Sequence, residues 1–313
     1  MSAALTLPAG VRLCHLPSPF RLAGGETLAG AVVAYELDGP ADAPVVVVLG
    51  GISADRVARR WWPGVVGTGA AVDSERFRVL SIDWLGGAGC STAPAAGEAF
   101  PAISTRDQAL AVAAVLDELG VARVRALIGA SYGGMVAQQL ALLAPRRIER
   151  LVVLAAAERS HSQASAWRWL QREIVALGSA AGHGEAALAL ARGLAMTTYR
   201  SPGELAARFE DPAELHGWLA ARGRAFAERF IPEQFTCLNA SIDAHAVDAA
   251  AIDVPTTAVA FTSDQLVPPA DVRRFADALP RLLRCVEIAT PFGHDGFLKE
   301  TVAVSAVLAE VLS

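Results

Sequence analysis

The stretch Ile128-Gly129-Ala130-Ser131-Tyr132-Gly133-Gly134 narrows the possible folds of this chain more than any other. It sets a Gly-x-Ser-x-Gly motif between residues 124–128, short, apolar and rich in strand formers, and residues 135–143, which read as a helix. A serine on a sharp strand-to-helix turn is held in a strained backbone conformation. Small neighbours at Gly129 and Gly133 let the chain approach itself there. The hydroxyl then projects at the carboxyl edge of a sheet, beside a helix N-terminus whose free N–H groups can hold a developing oxyanion. Ser131 is therefore a candidate nucleophile. A phosphate loop is disfavoured, because no Gly-Lys-Ser/Thr follows and the dinucleotide glycine spacing is absent.

With 313 residues, 53% hydrophobic and 19% charged, the chain can bury a large core as one α/β domain carrying an insertion. The net charge of -5 comes without a basic stripe to neutralise phosphates, which argues against nucleic-acid binding. No basic leader precedes a long apolar core at the N-terminus, and no run approaches the ~20 apolar residues of a membrane helix. No membrane association and a cytoplasmic location are expected. Cys14, Cys90, Cys237 and Cys285 are scattered, so neither a metal site nor a disulfide framework is expected.

Taken in order, residues up to about 30 read as an irregular lead-in and an edge hairpin, and residues 32–37 as a strand. Residues 45–49 form an apolar run without alternation, which suits a central strand covered on both faces. Gly50-Gly51-Ile52-Ser53 follows it, and a glycine pair at the end of a buried strand lets backbone approach a ligand; a second oxyanion donor would sit there. Residues 77–82 are the next strand, and the glycine-rich loop 83–89 after it could shape a pocket. Ser104 or Thr105 caps a helix through residue 119, and residues 150–155 give another strand. Strands and helices alternating at short range indicate a mostly parallel sheet with helices on both faces.

From about 158 to 247 the pattern is helical, broken at Gly178, at residues 182–184 and 201–203, and at Asp211-Pro212. This reads as a helical lid over the sheet edge, its aromatics Trp167, Trp169, Tyr199, Phe209, Trp218, Phe226 and Phe230 mainly core packing. The sheet resumes at 255–261, a helix covers 270–279, a last strand covers 284–288, and an amphipathic helix from 297 to 312 closes the chain. The expected organisation is a core in two parts, 1–156 and 249–313, with the lid over 157–248.

A serine hydroxyl needs a base to take its proton, and the base needs a carboxylate to orient it. In the α/β-hydrolase fold, whose strand–elbow–helix pattern this stretch resembles, the chain order is Ser, then Asp or Glu, then His. Of the histidines after Ser131, only His294 lies on a loop following a late strand; the others fall in the lid. Asp264 follows the penultimate strand, whereas Asp271 and Asp277 lie on the next helix. The expected constellation is Ser131, Asp264 and His294.

Beyond this general pattern, several stretches resemble the homoserine O-acyltransferase family, which acylates homoserine from an acyl-CoA on the way to methionine. They are residues 129–135, Thr198-Tyr199-Arg200-Ser201, Ala207-Arg208-Phe209, Asp243-Ala244-His245, residues 264–269 and residues 293–298. The resemblance implies ping-pong transfer of an acetyl or succinyl group through an acyl-serine, acyl-CoA being a co-substrate and no cofactor required. It implies oxyanion donors at the N–H groups of Tyr132 and Gly51. It further implies that Arg200 holds the acceptor's carboxylate, with Tyr199 beside it, that Asp295 holds its ammonium group, and that the lid can mediate a homodimer. The chain departs from the family's usual pattern at residues 49–53 and 83–93 and has a shorter lid, which leaves acetyl or succinyl donor and homoserine or serine acceptor open. A serine ester or thioester hydrolase is the alternative chemistry. A noncatalytic ligand-binding protein of the same fold is disfavoured by the intact triad.

Overall fold

The computed structural model describes residues 11–313, so the first ten residues of the lead-in lie outside the described residues. The chain opens with β1 (Arg12–His15), the small hairpin of β2 (Phe20–Arg21) and β3 (Thr27–Leu28), then β4 (Val32–Asp38) and β5 (Val45–Leu49). There follow α1 (Ala58–Trp61), β6 (Arg78–Ile82), α2 (Thr105–Glu118), β7 (Ala126–Ala130), α3 (Tyr132–Leu143) and β8 (Leu151–Leu154). Five helices come next: α4 (Ser162–Ala180), α5 (Gly184–Tyr199), α6 (Pro202–Arg208), α7 (Pro212–Ala227) and α8 (Pro232–Asp243). The chain then returns through β9 (Thr256–Phe261), α9 (Pro269–Ala278), β10 (Leu282–Ile288), α10 (Gly296–Lys299) and α11 (Thr301–Leu312).

Eight strands form one sheet in the order β1-β4-β6-β5-β7-β8-β9-β10. β1 and β4 pair antiparallel at one edge, and the strands from β6 to β10 run parallel. The unbroken apolar run of β5 follows from burial on both faces. Val45, Val47 and Leu49 pack on one side with α2, α3 and α9, whereas Val46 and Val48 pack on the other with Trp62, Val304 and Leu308. The expected cap of α2 is present: Ser104 accepts from the Asp107 N–H, and the Asp107 carboxylate accepts from the Ser104 N–H in return.

Three sequence expectations need correction. Gly178 does not break the lid; α4 runs through it to Ala180. A Cβ there would stand 2.2 Å from the Ala187 Cβ, so the glycine is used for close approach of α4 and α5. The closing segment is not one helix, because Trp62 donates its indole N–H to the Phe297 carbonyl at 2.8 Å. That carbonyl is the one a continuous helix would offer to residue 301, and the chain turns at Glu300 (φ -85°, ψ 50°) before α11. Finally, Trp169 is not packing in the core but is 54% exposed on α4.

The Gly178 contact gives a sign-sensitive expectation. Alanine favours a helix by about 1 kcal/mol over glycine, but overpacking costs about 1–3 kcal/mol. Gly178→Ala is therefore expected to lower the thermal midpoint, whereas Gly217→Ala in α7, where a Cβ meets nothing within 4 Å among the described residues, raises it. Thermal melts of the two variants with opposite signs test the packing of the lid.

Candidate active site

The elbow is as tight as its sequence implies. Ser131 has φ 54° and ψ -122°, a conformation that costs a non-glycine residue about 1–3 kcal/mol. It is held because the strand before it and the helix after it nearly touch. A Cβ on Gly129 would lie 2.3 Å from the Gly133 carbonyl oxygen, and one on Gly133 would lie 2.1 Å from that of Leu49. The Gly133 N–H donates to the Gly50 carbonyl at 2.9 Å, which ties the elbow to the loop leaving β5.

The loops after β9 and β10 bring the other two residues to the serine. Asp264 Oδ1 accepts the N–H groups of Leu266 (2.9 Å) and Val267 (3.0 Å), fixing the carboxylate. Its Oδ2 lies 2.7 Å from His294 Nδ1. Because an ionised carboxylate only accepts, Nδ1 carries the proton, and Nε2 is left to accept the Ser131 hydroxyl at 2.8 Å. Ser263 stitches the two loops together by accepting the Gly293 N–H and donating to the Thr290 carbonyl. Burial pulls the His294 pKa down, but the Asp264 carboxylate, with a further push from Asp295, outweighs it and holds the imidazole above its ordinary value.

On the other side of the serine, the backbone N–H groups of Gly51 and Tyr132 have no hydrogen-bond partner among the described residues. The Gly51 carbonyl is occupied by the Ala54 N–H and the Trp84 indole, both at 3.0 Å, which fixes that peptide. The Tyr132 ring packs edge-on against Trp84, and its hydroxyl lies 2.7 Å from Ser241 Oγ; burial pushes this phenol far up, so it stays neutral. The glycine-rich loop 83–89, which by its sequence could shape a pocket, lines no part of the cavity. Asp83 instead accepts from Arg56 and the Cys90 N–H, and Trp84 braces Gly51 from behind.

The cavity in front of Ser131 has a volume of about 290 Å³. That is the low end for ligand pockets, room for a short acyl chain and a small alcohol rather than a long lipid ester. Its floor is Ser131, His294 and Gly51; its roof comes from the lid, including Arg168, Arg192 and Tyr199; and Asp295 lines its side. The Tyr199 ring centre is 5.9 Å from that of His294.

Arg200 does not line this cavity, contrary to the role expected for it. Its guanidinium is buried between Asp295, which it meets as an ion pair out of line for a hydrogen bond (Nε to Oδ2, 2.9 Å), and Glu204 (Nη1 to Oε1, 3.4 Å). Two other arginines, unremarked in the sequence, take the lid wall. Arg192 lies 5.0 Å over the Tyr199 ring and 4.7 Å over the Phe226 ring and pairs with no carboxylate among the described residues. Arg168 pairs with Asp243 through Nε at 2.7 Å, while its Nη2 is buried without a partner among the described residues. Arg172 shares the same Asp243, so the pair of arginines leaves one positive charge in excess beside the cavity. Arg192 could have been found as the residue two helical turns before Tyr199, on the same face of α5. Arg168 carries no such signal, because its partner is 75 residues away.

Of the lid motif at residues 243–245, Asp243 serves as this anchor. His245 is buried where the lid rejoins the core, its Nδ1 2.9 Å from Thr105 Oγ1, and burial lowers its pKa to about 4. No group of three or more His, Cys, Asp or Glu side chains among the described residues is arranged to hold a metal ion. Among the described residues no helix is long and apolar enough to cross a membrane.

A parallel sheet, a strained serine at its carboxyl edge and a serine–histidine–aspartate chain in that order define an α/β-hydrolase-fold protein. Residues 44–301 match the family model described as alpha/beta hydrolase fold. The chain is 41% identical to a homoserine O-succinyltransferase of Xanthomonas campestris pv. campestris, covering 94% of this chain and 81% of that one. It is 36% identical to a homoserine O-acetyltransferase of Thermus thermophilus, over 79% and 70% of the two chains. A crystal structure of homoserine O-acetyltransferase from Staphylococcus aureus superposes with a TM-score of 0.85 at 26% identity, over 97% and 95%. The chain belongs to the homoserine O-acyltransferase family.

Proposed function

We propose that the protein transfers a succinyl group from succinyl-CoA to the hydroxyl of L-homoserine through an acyl-enzyme on Ser131, an activation step towards methionine. The observation that carries the choice of acyl group is Arg168, whose buried Nη2 has no partner among the described residues and whose one carboxylate among them is shared with Arg172. A buried polar group left unpaired costs about 1–3 kcal/mol, and a carboxylate at the far end of the acyl chain would remove that penalty. An acetyl group has nothing to offer it. The likeness to the succinyltransferase supports the same reading.

The Ser131 oxygen attacks the thioester carbonyl while its proton passes to His294 Nε2, and Asp264 stabilises the resulting imidazolium. The N–H groups of Gly51 and Tyr132 receive the oxyanion. Collapse expels the thiolate of CoA, which takes the proton from His294. Homoserine then enters with its carboxylate against Arg192 and its ammonium group against Asp295. Its hydroxyl gives its proton to Nε2 and attacks the acyl carbonyl, and collapse returns the proton to Ser131 as the ester leaves.

Release of free thiol, measured with succinyl-CoA or acetyl-CoA and with homoserine, serine or no acceptor, tests the proposal. Homoserine is expected to raise release from succinyl-CoA by about 10²-fold, the factor two charge-assisted contacts of ~1.5 kcal/mol each would supply. Release indifferent to any amino acid would make the protein a hydrolase, and a preference for serine would replace the acceptor.

A further inference from the structure

The residue that the sequence assigned to substrate, Arg200, sits instead at a joint. It ends α5, the lid helix that carries Arg192 and Tyr199, and it is 7% exposed. Its Nε faces Asp295 Oδ2 at 2.9 Å, one residue along from His294. Its carbonyl accepts the Gln265 side-chain N–H at 3.2 Å, one residue along from Asp264. Gly293, with φ 63°, presses so closely on this segment that a Cβ there would stand 2.6 Å from the Tyr199 carbonyl oxygen. The end of one lid helix is thus bound to the loops of both the base and its carboxylate.

We propose that Arg200 is a positioning residue: its buried charge, 2.9 Å from the Asp295 carboxylate, keeps that carboxylate at the acceptor site and offsets the charge that it places beside His294. The assignment of Asp295 to the ammonium group rests on the function proposed above; the effect on His294 does not. The groups facing His294 are Asp264 from the loop after β9, Asp295 from its own loop, Arg168 from α4 and the Tyr199 ring from α5, which Arg192 overlies. Arg200 and, behind it, Glu204 act through Asp295. With Arg200 neutral, the full charge of Asp295 favours the imidazolium, so a higher pH is needed to free the base.

The test is the acylation burst of Arg200→Gln with a p-nitrophenyl ester across pH, which requires no homoserine. The acid limb is expected to move up by about 0.5–1 pH unit, and Arg200→Lys to restore it. Glu204→Gln, which leaves Arg200 to Asp295 alone, is expected to move the limb the other way and keeps the test alive if the first variant fails to fold. In the full reaction, KM for homoserine should rise more than kcat falls. An unmoved limb with rates lowered in proportion at every pH would overturn the proposal. A moved limb with no response to homoserine would uphold it while removing the acceptor assignment.

Discussion

Ser131→Ala is expected to lower kcat for acyl transfer by about 10⁶-fold, because a serine triad loses nearly all of its advantage when its nucleophile is removed. Alanine has the same Cβ as serine and meets the same strain at φ 54°, and among the described residues the lost hydroxyl has only His294 as a hydrogen-bond partner. The thermal midpoint is therefore expected to stay within about 0.5 kcal/mol of the parent in stability terms, as for changes that open no core cavity. Single-turnover thiol release together with a melt separates lost chemistry from lost folding. A folded variant that still released thiol within tenfold of the parent rate would show that another group attacks the thioester.

The elbow was legible because its signals are local: a strand, two small residues at fixed offsets and a helix. Asp264 and His294 were legible because the chain order confined them to the exits of the last two strands, and these loops pack as extensions of the sheet. The cavity wall was not. Arg192 reaches it because α5 turns that face inward against α4 and α7, and Arg168 is aimed by Asp243, far along the chain. Helical spacing says which residues share a face, not which face the lid offers to the sheet. Gly178 misled for a related reason. A glycine reads as a break unless the neighbouring helix is known to come close, and the same holds for Trp62, whose indole ends α10 from 235 residues away. Arg200 was placed in the site by the family resemblance of residues 198–201. Consecutive residues at a helix end point in different directions: Thr198 and Tyr199 line the cavity, and Arg200 does not.

Arg168→Leu is expected to lower kcat/KM for succinyl-CoA by about 10²-fold and to leave that for acetyl-CoA within a few-fold. The first figure is a charge-assisted hydrogen bond of about 1.5–3 kcal/mol, enlarged because the donor's carboxylate would then be buried without a partner. Removing a buried cation also takes one of two partners from Asp243, but Arg172 still holds that carboxylate at 2.7 Å. Arg172→Leu provides the comparison. It breaks the same ion cluster from outside the cavity, so it should lower stability without changing the ratio between the two donors. If Arg168→Leu depressed both donors equally, the arginine would be a strut of the lid alone, and the unpartnered nitrogen would have to be read as facing water rather than the acyl chain. The ratio of donors decides between these two because a strut acts on the shape of the pocket, which both acyl groups share, whereas a missing cation is felt only by the one that carries a charge.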